Sequence, residues 1–78
     1  MHANAAQDAK TSASWNKDAN YVMSAEYDNS NDASMVQAQN NIRKMIEAGR
    51  LIGKSTEDLA PLYNKLHEIQ NDRNNLSI

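Results

Sequence analysis

From residue 34 onward, apolar positions recur at steps of three and four. Met35, Ala38, Ile42, Met45, Gly49 and Ile52 form one seam, and Leu59, Leu62, Leu66, Ile69 and Leu76 form a second. Steps of that size put residues on one side of an α-helix. Val36, Ile46 and Leu51 widen the first seam, while Arg43, Glu47, Arg50 and Lys54 fall on its opposite side. Ser34 and Gln37 have capping-box spacing, so the first helix is predicted to start at Ser34. Gly53 suits the residue just past its end, with Arg50 and Lys54 near the negative pole of the helix dipole.

Ser55 and Asp58 form a weaker capping pair for the second helix, and Arg73 interrupts its seam. Pro61 restricts where that helix begins. In a helix interior its ring clashes with the Glu57 carbonyl, so regular helix is expected to start between Asp58 and Ala60. An irregular link over residues 53–58 then leaves the helices as antiparallel neighbours. The predicted fold is all-α: an antiparallel helical hairpin over 34–78, preceded by a flexible polar leader over 1–33.

The leader is rich in Ala, Asn, Asp and Ser. Residues 1–11 hold no large apolar side chain after Met1 and are expected to be disordered. Trp15, Ala19, Val22, Met23 and Glu26 have helical spacing with Ser14 as a cap, which offers a third, short helix over 14–27. Asn16, Asn20 and Ser24 weaken it, and residues 27–32 read as a turn or linker. Trp15, Tyr21 and Tyr27 are three of the chain's four aromatic residues. The favoured expectation is that their rings pack onto the hairpin. The sharper one is a segment that orders against a partner.

Composition narrows the function classes. Of 78 residues, twenty are Val, Ile, Leu, Met, Tyr or Trp, and fourteen of these lie in 35–78, so the core belongs to the second half. With no Cys, disulfides and thiol catalysis are excluded. Net charge is −2, divided as −3 over 1–34 and +1 over 35–78, which argues against a nucleic-acid binder. No apolar run approaches the ~18 residues of a membrane span. Ala3-Asn4-Ala5 has the small-x-small form of a signal-peptidase site, which makes an exported chain an option beside an ordinary Ala-rich terminus.

Candidate chemistry is sparse. Residues three or four positions from His67 are Tyr63, Asn64, Gln70 and Asn71, so it has no metal-ligand pair. His2 lies in the leader with no partner in sequence. Glu57 and Asp58 are explained by capping, and Asp28 and Asp32 lack the spacing of a calcium loop. Two glycines, Gly49 and Gly53, make no phosphate loop. The basic group Arg43, Lys44, Arg50 and Lys54 is diluted by Glu47 and reads as a solvated face. No cofactor, metal or catalytic residue is expected.

The run Leu59-Ala60-Pro61-Leu62-Tyr63-Asn64-Lys65-Leu66-His67-Glu68, with Arg73-Asn74, resembles the second helix of type III secretion needle subunits. That resemblance implies a small Cys-free helical hairpin that assembles into a filament. The chain departs from the pattern in lacking the family's two-Pro turn and its further helical segment. Small hairpin aspartyl-phosphate phosphatases fail at their motif, which is replaced here by Tyr63-Asn64-Lys65-Leu66-His67 without the functional Asp.

The leading expectation is a non-enzymatic protein–protein interaction module that binds another protein or a copy of itself. The alternative is a self-assembling subunit of a filament or secretion apparatus. Partner-binding candidates are Trp15, Tyr21 and Tyr27 in the leader, with Val36, Ile46, Leu51 and Tyr63 on the flanks of the hairpin.

Overall fold

The computed structural model describes residues 12–77. Among these it is all-helical: α1 spans Ser12–Ser24, α2 spans Asp32–Leu51 and α3 spans Thr56–Leu76. The expected disorder of residues 1–11, and the Ala3-Asn4-Ala5 motif, lie outside the described residues.

α2 starts earlier than the capping-box reading placed it. Asn31 is the N-cap, and its side chain accepts from the Ser34 amide at 3.3 Å. Ser34 has another use: its hydroxyl oxygen accepts from the Asp28 amide at 2.9 Å. The three-residue capping frame fits both positions, and Asp32 in the first turn favours the earlier one. The other end is as expected. Gly53 has φ +78°, its amide donates to the Arg50 carbonyl, and the Lys54 amide donates to the Gly49 carbonyl at 2.9 Å. That pair of bonds is a Schellman stop.

α3 begins at Thr56 with Ser55 as N-cap, whose hydroxyl oxygen accepts from the Asp58 amide at 3.1 Å. The expected start at 58–60 is therefore corrected, and Pro61 falls in the second turn of the helix. Its missing N–H deprives the Glu57 carbonyl of a helical donor, and its exposed position leaves that side of the turn to water. The Ser55 cap, with Glu57 and Asp58 in the first turn, offsets part of that loss.

The hairpin packs as its pattern required over most of its length. Met35, Ile42, Met45, Leu62 and Ile69 are almost wholly buried. The second seam fades toward its end, since Leu66 is half-buried and Leu76 is 44% exposed. Beyond Ile69 the two helices are joined by polar groups instead. Gln39 is completely buried: its amide donates to Gln70 Oε1 at 3.0 Å and its Oε1 accepts from Arg73 at 2.9 Å. Arg73 also holds Asp32 at 2.8 Å. The interruption at Arg73 is thus the interhelical connection at this end.

Residues 12–24 do not behave as a leader. α1 lies against α2 through Trp15, Ala19 and Val22, all buried, and Asp18 on the same face is buried too. It makes fewer contacts with α3. The helix stops at Ser24, short of the 14–27 expected, and the chain turns over residues 29–30 before α2.

Candidate functional site

Trp15 is the main anchor of α1. Its ring N–H donates to the Met45 carbonyl oxygen at 2.9 Å, thirty residues away and inside the core. The indole sits where Gly49 has no side chain: a β-carbon there would lie 2.9 Å from Trp15 Nε1 and 2.8 Å from Leu59 Cδ2. Lys54, at the hairpin tip, closes over the ring with Nζ 4.9 Å from its centroid. The same ammonium donates to Ser12 Oγ and Asn16 Oδ1, both at 2.8 Å. A cation over an indole face is attractive, and here it is also fixed by two hydrogen bonds.

Tyr27 pins the other end of the connection. Its hydroxyl donates to Asp72 Oδ2 at 2.6 Å, and Lys65 Nζ lies 5.5 Å from its ring centroid. The hydrogen bond to Asp72, then burial, then the nearby carboxylates of Asp72 and Glu68, hold the phenol well above its ordinary pKa. In the turn that follows, the Ser30 hydroxyl and amide donate to Asp28 and lower its carboxyl.

These anchors leave an open groove of about 280 Å³ beside the C-terminal half of α1. Val22, Ala38, Ile42 and Ile69 form its apolar floor, and Glu26, Gln37, Asn41 and Lys65 stand at its rim. Tyr21 and Tyr27 both line it. On the other side of α1, where it stands off from α3, Ala19, Met23, Pro61 and Leu62 line a more open cleft of about 320 Å³.

The candidate binding residues are therefore dispersed. Tyr21 is 65% exposed and lines the same groove as Tyr27. Leu51 is 84% exposed at the hairpin tip, far from both in the chain's path. Tyr63 is half-buried under Arg50, which donates to its hydroxyl and stands 5.7 Å from its ring centroid. Val36 is half-buried. Trp15 and Ile46 are core residues at 4% and 5% exposure, so neither presents a surface to a partner while α1 is docked. The expectation that Ile46 lies on the flank of the hairpin for a partner is corrected, because it is buried in the core.

Sequence reasoning missed Gly49 as the seat of the indole, Lys54 as its lid and Gln39 as a buried crosslink. Gly49 carried a signal, since a glycine inside a helix marks a close approach. Among the described residues no group of acidic, His or Cys side chains is arranged to hold a metal, and no helix is long and apolar enough to cross a membrane. Comparisons with protein-family models, with curated proteins and with solved structures give no match to this chain.

Proposed function

We propose that this chain is a small non-enzymatic protein–protein interaction module whose contact surface is the groove at Tyr21 and Tyr27. One observation carries the reading. Two tyrosines, one of them 65% exposed, border an open apolar floor with a polar rim. Aromatic anchors beside a half-apolar groove are what a protein segment is recognised by. Selecting peptides from a random display library against the full chain tests this. Binders that lose about tenfold or more in affinity on Tyr21→Ala support the groove. Binders indifferent to Tyr21 and to Gln37 overturn it.

A second reading, a self-assembling structural subunit, is favoured by a different observation. Leu51 and Leu76 are both exposed and lie at opposite ends of the antiparallel hairpin. Head-to-tail contact between unlike ends produces open filaments where the rotation between copies does not close into a ring. Light scattering across a concentration series distinguishes the two: polydisperse growth supports the filament, and a monomer or discrete oligomer supports the module.

A further inference from the structure

We propose that the groove at Tyr21 and Tyr27 receives a cationic amphipathic helix of another protein, with its apolar side chains on the floor and a Lys or Arg beside Glu26. The inference rests on the reading of that groove as the contact surface and names the chemistry of the segment it takes.

The charges around the groove set the sign of the partner. Glu26 stands exposed on the rim, and no cation among the described residues pairs with it. Lys65 is the base that lines the groove, but its side chain is only 22% exposed. Its ammonium lies 3.8 Å from Glu68 and 5.5 Å from the centroid of the Tyr27 ring, so it is already engaged within the protein. The Tyr27 hydroxyl donates to Asp72 at 2.6 Å. Glu26, Glu68 and Asp72 therefore set three carboxylates against one ammonium at this groove. The Tyr27 phenol registers the field they make, since the charges of Asp72 and Glu68 both push its pKa up. A segment bearing carboxylates meets repulsion here, and one bearing Lys or Arg meets attraction.

The walls set the conformation of the partner. They are faces of α1 and α2, whose backbone groups are bonded in their own helices or caps, and beyond α1 the Ala25 amide donates to the Tyr21 carbonyl at 3.0 Å. An extended peptide finds no strand edge to join, so recognition falls to side chains. Ser34, Ala38 and Asn41 line the α2 wall at steps of four and three, a stripe along the helix axis. A helix laid beside that stripe offers apolar side chains at the same steps to Val22, Ile42 and Ile69. The size agrees. At about 280 Å³ and open to solvent, the groove falls short of the ~300–1,000 Å³ that encloses a small ligand, and it fits side chains presented from a larger surface.

Peptides selected from a random display library at low salt against the full chain test this, when those that depend on Tyr21 are sequenced. They should carry apolar residues at steps of three and four with an excess of Lys and Arg. Their affinity should fall as salt is raised. Glu26→Lys, at an exposed position outside the helices, should keep the wild-type melt and weaken these peptides by about fivefold or more. Replacing the basic residue of such a peptide by Glu should recover affinity for Glu26→Lys and lose it for wild type. Tyr21-dependent binders that are neutral or acidic, or that ignore Glu26→Lys, overturn the inference and leave the groove standing as a contact surface. Binders indifferent to Tyr21 overturn both.

Discussion

Trp15 and Gly49 are fitted to each other: a β-carbon on Gly49 would come within 2.9 Å of the indole Nε1 and 3.0 Å of Cε2. That contact decides the outcome of Gly49→Ala. Helix propensity alone favours alanine by about 1 kcal/mol. Overpacking against a ring that is itself hydrogen-bonded costs ~1–3 kcal/mol and should win. The expected result is a lower melting temperature with red-shifted tryptophan emission. A higher melting temperature would mean that the ring relaxes freely and the socket is not selective.

Core truncations should rank by burial. Ile69→Ala removes a side chain with no exposure and should cost ~2–5 kcal/mol. Leu66, half-buried, should cost clearly less. On a small domain with little stability in reserve, Ile69→Ala is expected to be largely unfolded at room temperature. Chemical denaturation of both variants checks the order.

The polar end of the hairpin separates a buried crosslink from an exposed one. Gln39→Ala strips Arg73 and Gln70 of a buried partner and should cost ~1–3 kcal/mol. Asp32→Ala removes an ion pair whose members are 55% and 29% exposed, and should cost under about 1 kcal/mol. Raising salt should narrow the gap between Asp32→Ala and wild type and leave Gln39→Ala where it is. An equal loss in the two variants would contradict this assignment.

Tyr27 makes the fold sensitive to alkali. Its neutral form donates to Asp72, so its folded pKa is raised above the ordinary value of about 10. A raised pKa means the contribution is complete below the unfolded value and is lost as pH rises through the folded one. Stability should therefore fall more steeply above pH ~10 in wild type than in Tyr27→Phe. Melting curves of the two proteins between neutral and strongly alkaline pH test the difference, and parallel curves would remove Tyr27 from the account.

Much of the fold was legible in periodicity, because Met35, Ile42, Met45, Leu59, Leu62 and Ile69 repeat at helical steps and are buried where the pattern put them. Three things were not. The start of α2 was displaced because Asn31 and Ser34 both satisfy a three-residue capping rule, and only tertiary hydrogen bonding assigns Ser34 to Asp28. The start of α3 was displaced because Ser55 caps the helix directly and Pro61 is accommodated inside it, in the second turn. The extent of α1 was the third: it runs over Ser12–Ser24 and not 14–27, although its docking through Trp15 was the favoured expectation. Of the proposed contact residues, chosen for aromatic or apolar character, Tyr21 and Leu51 are exposed. Ile46 and Trp15 share that character and are buried, so residue type did not separate surface from core.

The socket for α1 is assembled from residues made long after α1 itself. Trp15 emerges from the ribosome early, but Met45, Gly49, Lys54 and Leu59 follow 30 to 44 residues later. At the usual rate of synthesis that interval is roughly 2 to 9 s. For that time the indole has nowhere of its own to bind.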